Sequence, residues 1–286
     1  MDFYDMIDEL KEALNNEKLV IFVGAGVSKN SGVPTWGQAV RVFAEKIGYP
    51  EHRLTTDEYI RIPQYFYGID KSEGHEEYYK TLRKCFDLDV KPNIINELIA
   101  KIHPKHIVTT NYDKLMDNVL RDYEIITTDK DLLKVKGNNY LIKMHGDVDN
   151  VKGIVFKEDD YLQYSESHRV LEIFLKSLLI DHVFLFVGYS LNDYNLNTFT
   201  SWIDFIAQEM NVKESIHKNF LLLSSGQAGK EYLKTYYENK SLHVIDMFDL
   251  PEEIESRVAN VKLSDKLGKI TYVILELLKN EQDNKT

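Results

Sequence analysis

Four polar clusters each follow an apolar run: Gly24-Ala25-Gly26-Val27-Ser28, residues 109–113 (Thr-Thr-Asn-Tyr-Asp), His145-Gly146-Asp147, and residues 188–193 (Gly-Tyr-Ser-Leu-Asn-Asp). The first is a small-residue turn. Glycine there admits positive φ and lets a ligand approach closely, and turn amides with a helix start behind them suit a pyrophosphate. The spacing is not G-x-G-x-x-G, because Lys29 holds the third position. No acid follows at the end of a second strand about 20 residues on, as the dinucleotide fingerprint requires. His145 carries the side-chain type whose ordinary pKa, near ~6.5, lets it accept a proton at neutral pH. Asp113 or Asp147 would fix its tautomer.

Each of these residues also has a purely structural reading. Asn111 fits an Asx-turn or a helix cap. Asp113 fits the first turn of a helix, where the dipole favours a carboxylate. Ser190 and Asn192 fit caps of the helix that follows. A histidine after a strand is often a packing residue, and this chain has nine.

The elements that would position the clusters alternate between strand and helix. Residues 19–23 (Leu-Val-Ile-Phe-Val) read as a strand buried on both faces of a parallel sheet, and 182–187 as a second. Further strands are expected at 106–110, 124–127, 139–144, 220–223 and 242–245, with 153–156 extended. Helices are expected at 5–16, 35–48, 94–102, from 111–113 through Arg121, 157–164, 170–180, 192–210, 227–238 and 264–279. Thr35 starts the second of these and Gly48 stops it. Residues 55–86 read as a helical lobe, with Tyr59, Ile62, Tyr65 and Phe66 on one core-facing stripe. The polar tail 280–286 reads as frayed. The alternation predicts an α/β fold with a doubly wound, mostly parallel, Rossmann-like sheet. In such a sheet the carboxyl ends of the strands line the ligand crevice, so loops distant in sequence meet in one pocket.

The 286 residues, 43% hydrophobic and 12% aromatic, suffice for a full core. A net charge of −11 argues against direct nucleic-acid binding, which needs clustered Lys and Arg. The lone Cys85 excludes an internal disulfide and a multi-cysteine zinc site. The acidic N-terminus is unlike a secretory signal and no apolar run reaches the ~20 residues of a membrane span. A cytoplasmic protein with no membrane contact is expected.

Together and in this order, the clusters resemble the sirtuin superfamily. The matching pieces are Gly24-Ala25-Gly26-Val27-Ser28, Gly32-Val33-Pro34, Thr110-Asn111-Tyr112-Asp113, His145-Gly146 and Gly188-Tyr189-Ser190. The resemblance implies one sirtuin-like NAD-binding domain over 1–286, with a helical insertion around 52–103 and no zinc lobe. It implies that Asn111 reaches the nicotinamide ribose and that His145 is the catalytic base. Gly24, Ala25, Gly26, Ser28, Pro34, Trp36, Thr110, Asp113, Gly188 and Ser190 would contact NAD+. Sirtuin deacylases carry a four-cysteine zinc lobe and an acidic and basic pair after the proline, where this chain has Thr35-Trp36. Pro-x-Trp, Lys-Met-His-Gly-Asp (143–147) and the stretches 57–64 and 157–162 look instead like the bacterial defence-associated sirtuins.

That resemblance implies an NAD+ glycohydrolase that depletes NAD+ during phage infection, with NAD+ as substrate and no metal. It also implies a homo-oligomer answering to a partner protein or a C-terminal sensor region, so that the chain is either a truncated effector or a compact subunit. Cleavage of NAD+ generates an oxocarbenium-like ribosyl cation, which Asn111 would orient while His145 takes a proton. The rivals are an NAD-dependent protein deacylase or ADP-ribosyltransferase, and a non-catalytic module that senses NAD or ADP-ribose. The pairing of Asn111 with His145 argues against the last.

Overall fold

Five consecutive apolar residues, Leu19–Val23, need cover on both faces and a neighbour on both edges. The computed structural model, which describes residues 1–189, 194–209, 219–223, 231–246 and 249–279, provides both. Among the described residues, β1 (Leu19–Val23), β2 (His106–Thr109), β3 (Glu124–Ile126), β4 (Tyr140–Lys143), β5 (Val183–Val187), β6 (Asn219–Leu223) and β7 (Leu242–Asp246) form one parallel sheet. Its order is β3-β4-β2-β1-β5-β6-β7: the chain first builds the side beyond β2, where β4 inserts between β2 and β3, and then winds outward from β1 through β5, β6 and β7. Val23 is in register with Thr109 and Val187, and Thr109 with Lys143. Residues 24, 110, 144 and 188 therefore leave the sheet along one edge. That edge spans the point where strand order reverses, the crevice position of open α/β sheets.

Alternation along β1 divides the core. Leu19, Ile21 and Val23 face the helices Phe3–Asn15, Ile94–Ile102, Glu252–Asn260 and Lys266–Lys279. Val20 and Phe22 face Arg169–Asp181 and Tyr194–Glu209, where Phe199 packs edge-on to Phe22 at 4.5 Å. A third cluster belongs to the helices between β1 and β2, Trp36–Lys46, Thr56–Ile69 and Glu76–Phe86. It joins Phe43, Ile62, Phe66, Tyr78 and Phe86 to Tyr112 and Phe156 at the carboxyl edge of the sheet.

Some expectations change. Ile154 is extended, as expected within 153–156, yet the stretch joins no strand. Val155 is buried, but its amide donates to the His145 carbonyl (2.9 Å) and its carbonyl accepts from the Tyr112 hydroxyl (2.9 Å), so loops satisfy it instead of a strand edge. The helix expected through Arg121 covers only Leu115–Val119, because Leu120 turns extended and enters the core. Tyr65 leaves the expected stripe and is exposed, while Ile62 and Phe66 are buried. Helix Glu252–Asn260 was not expected, although Pro251 and three acids in its first turn mark its start. Ser190, Asn192 and the tail 280–286 lie outside the described residues.

Candidate active site

The β1 turn is glycine-rich for packing. Gly24 has φ −98° and Gly26 is not among the positive-φ residues, which corrects the expectation of a left-handed turn. A Cβ on Gly24 would lie 2.7 Å from the Gly188 carbonyl oxygen, and one on Gly26 would lie 2.8 Å from the same atom. The two turns thus meet backbone to backbone, with the left-handed residue at Gly188 (φ +77°). The amides of Gly24, Gly26 and Val27 donate to the carbonyls of Val187, Gly188 and Gly24. Three amides expected to face a pyrophosphate are therefore engaged within the protein.

Asn111 is held against this turn. Thr109 donates its hydroxyl to the Val23 carbonyl (2.7 Å) and accepts from the Asn111 amide (3.0 Å). Asn111 Nδ2 donates to the Gly24 carbonyl (3.1 Å) and to Ser28 Oγ (3.0 Å). The Gly24 carbonyl only accepts, so the orientation of the carboxamide is fixed. Oδ1 is left to meet a ligand. The Asx-turn falls to Asp113, whose carboxylate accepts from the Leu115 amide (3.0 Å) and from Ser28. Burial raises the Asp113 pKa, and these two donors with Lys143 only partly offset it. Ala25, Ser28, Pro34, Trp36, Thr110, Asn111 and Asp113 line a crevice of about 450 Å³, with Tyr161 on its wall. Thr35 fixes Pro34 and Trp36 there by capping helix Trp36–Lys46 in a reciprocal box with Gln38.

Lys143 ties the β4 turn to the β2 turn. Its ammonium, 1% exposed, donates to the Asp113 carbonyl (2.7 Å), to Asp117 (3.1 Å) and to Asp147. Lys114 adds contacts at 2.8 Å to Asp117 and 3.2 Å to Asp147. Burial works to raise the Asp147 pKa, but Lys143, the Asp149 amide and Lys114 outweigh it and hold the carboxyl below its usual range.

His145 follows on the same turn, 3% exposed. Its ring meets Tyr161 edge-on at 5.4 Å and Tyr164 at 5.8 Å, and its buried Nδ1 has no hydrogen-bond partner. Burial, reinforced by the charge of His168, pushes its pKa down to about 3. Neither Asp113 nor Asp147 bonds to it, which corrects the expected carboxylate partner: Asp147 is held by lysines and Asp113 by Ser28 and Leu115. His145 lines a second cavity of about 590 Å³ with Tyr161, Tyr164, Glu172, Thr198 and Trp202.

Residues 105–245, which carry β2, β4 and β5 with their turns, match the family model of the SIR2-like domain. The chain carries a SIR2-like domain. Over 98% of its length it is 34% identical to Defense-associated sirtuin 2 of Bacillus subtilis, of which it covers 27%. The NAD(+) hydrolase ThsA of Cytobacillus dafuensis is 30% identical across 69% of the chain and 40% of that protein. An NAD-dependent protein deacetylase of Clostridium perfringens (strain 13 / Type A) is 34% identical across 39% of the chain and 44% of that protein. The chain spans well under half the length of the first two relatives, and its match to the third is likewise confined to less than half of that protein.

Seven of the residues singled out from sequence, four before the matched stretch (Ala25, Ser28, Pro34, Trp36) and three within it (Thr110, Asn111, Asp113), gather at the crevice. Gly24 offers its carbonyl to Asn111, whereas Gly26 and Gly188 serve the packing beneath. Thr110 meets the Tyr189 hydroxyl at 3.1 Å, and Ser190 lies outside the described residues. His145 lines the adjoining cavity instead. Thr109, Lys143, Tyr161 and Tyr189 stand inside the motifs quoted from sequence, but sequence alone gives none of them a role at the site. Among the described residues no His, Cys, Asp and Glu side chains gather as a group of three able to hold a metal. Nor is any described helix long and apolar enough to cross a membrane.

Proposed function

We propose that this SIR2-like domain is an NAD+ glycohydrolase, releasing nicotinamide and ADP-ribose as the effector of an anti-phage response that depletes NAD+. The observation that carries the reading is the fixed carboxamide of Asn111, Oδ1 free, in a crevice at the strand-order switch and next to a neutral His145. Kinship with proteins named as a defence sirtuin and NAD(+) hydrolases supports it. The C1′–N bond breaks and nicotinamide leaves with the electron pair. Asn111 Oδ1 orients the ribose hydroxyls or the attacking water, whose oxygen bonds to C1′ as His145 accepts its proton. Burial keeps the imidazole uncharged across the physiological range, and only a change in its surroundings when substrate binds would restore the basicity that general-base action needs. Asp113, Ser28, Pro34, Trp36 and Thr110 form the rest of the binding crevice. Residues 1–286 act as one NAD-binding unit with the helical insertion at 52–103, in a homo-oligomer controlled by a partner protein or by a sensor region such as its longer relatives have room for.

The test is nicotinamide release from NAD+ by the purified chain beside Asn111→Ala and His145→Ala. Loss of the base lowers turnover by about 10²–10⁴-fold, with the fold preserved by circular dichroism. Turnover equal to the parent's in both variants overturns the assignment. The deacetylase relative favours a second reading, NAD-dependent transfer to protein, with the cavity behind His145 as the acceptor's place. A protein adduct of ADP-ribose, or deacylated lysine, seen by mass would establish it.

A further inference from the structure

Asn111 and His145 lie in two different cavities, and one side chain, Tyr161, lines both. A substrate that uses both residues must pass that ring. The Tyr161 ring is perpendicular to His145 (89°) at 5.4 Å, and on its other side it lies 6.2 Å from Trp36. Trp36 in turn stacks on Tyr59 of helix Thr56–Ile69 at 5.1 Å. An aromatic row thus runs from the inserted helices to His145.

The short helix that carries Tyr161, Glu158–Leu162, is fastened to helix Thr56–Ile69 from outside. Arg61 Nε donates to Glu158 at 3.0 Å. Gln64 exchanges two hydrogen bonds with Asp159, donating to its carboxylate (3.0 Å) and accepting from its amide (3.1 Å). The Lys157 ammonium lies 4.9 Å over the Tyr67 ring. Exposed contacts of this kind are individually weak. They can hold a partition closed and still release it.

We propose that Tyr161 is a movable partition across the active crevice, and that Arg61–Glu158 with Gln64–Asp159 is an autoinhibitory latch keeping it closed. The inference rests on the NAD-cleaving reading for its purpose, though not for its geometry. Releasing the latch lets helix Glu158–Leu162 swing and joins the two cavities, so that one ligand reaches Asn111 Oδ1 and His145 together. The device suits an enzyme whose unrestrained turnover would exhaust a cofactor of its own cell.

The experiment reads the gate separately from catalysis. The full chain and the Arg61→Ala/Gln64→Ala double variant are treated with diethyl pyrocarbonate at neutral pH, and ethoxycarbonylation of each histidine is followed by peptide mass spectrometry. His145 should label about 5–30-fold faster in the double variant, the range for a loss of one or two weak contacts. His106, buried at the opposite end of the sheet, reports general loosening and should be unchanged. Tyr161→Ala should label His145 as fast as the double variant does. Unchanged His145 labelling in both the double variant and Tyr161→Ala, or a parallel rise at His106, overturns the latch. Nicotinamide release measured on the same samples should rise with His145 labelling. Faster labelling with no nicotinamide from any variant keeps the latch and refutes the NAD-cleaving reading.

Discussion

At the scale of single residues, the glycines of the β1 turn have a use that their sequence pattern conceals. A Cβ on Gly26 would stand 2.8 Å from the Gly188 carbonyl oxygen and 2.9 Å from its Cα, both backbone atoms that cannot rotate aside. Gly26→Ala should therefore force the β1 and β5 turns apart at a cost of about 1–3 kcal/mol, read as a lower urea midpoint. It should also weaken the proposed NAD+ cleavage, because Asn111 is bonded to the same turn through the Gly24 carbonyl. Gly68 is the control. Its position in helix Thr56–Ile69 has nothing within 4 Å, so Gly68→Ala should be neutral or stabilising by about 0.4–1 kcal/mol. An equal loss of stability in both variants would contradict the packing argument. Asn111 and His145 were legible because their side-chain types after strand ends are chemically suggestive. The gap between them was not legible, because Tyr161 comes from a helix whose docking depends on contacts about 95 residues away in sequence.

At the scale of elements, the β2 and β4 turns are held in place by charge. Lys143 is 1% exposed and faces two carboxylates and a carbonyl, so removing its ammonium leaves Asp117 and Asp147 to share Lys114. Breaking a buried pair from one side costs about 3–5 kcal/mol, mostly from the uncompensated charge that remains. Lys143→Met should lose that much in chemical denaturation, and Lys143→Met/Asp147→Leu should recover part of it. A double variant as unstable as the sum of the two single ones would refute the coupling. The strands of the sheet were legible because a parallel strand buried on both faces leaves a continuous apolar run, as at 19–23 and 183–187. Stretch 153–156 has the same apolar character and is no strand. Burial is a property that strands share with loops whose backbone N–H and C=O groups find other partners, here the His145 carbonyl and the Tyr112 hydroxyl.

At the scale of the whole molecule, burial of histidines sets how the fold responds to acid. His145 and His106 are both pushed from an ordinary value near 6.5 down to about 3. Burial is the main cause in each, reinforced at His106 by the charges of His182 and Lys105. His168 moves in the same direction. A group whose folded pKa lies below its unfolded one binds its proton more readily in the unfolded chain, so stability falls as pH drops from about 6.5 towards 3. Between pH 7 and 5 each of the two deeply shifted histidines removes about 2 kcal/mol. Asp113, raised by burial, works the other way, and the lowered carboxylates such as Asp147 act mainly below that interval. Urea unfolding at pH 7 and pH 5 should therefore show a marked loss at the lower pH. His106→Gln should narrow the difference by about 2 kcal/mol, whatever it costs through the lost stacking on Tyr140. His106 is at the start of β2, remote from the crevice, so its variant reads the linkage without disturbing the site. A pH difference as large in His106→Gln as in the parent would mean that this imidazole is already charged in the folded protein, which its burial against Tyr140 and beside His182 opposes.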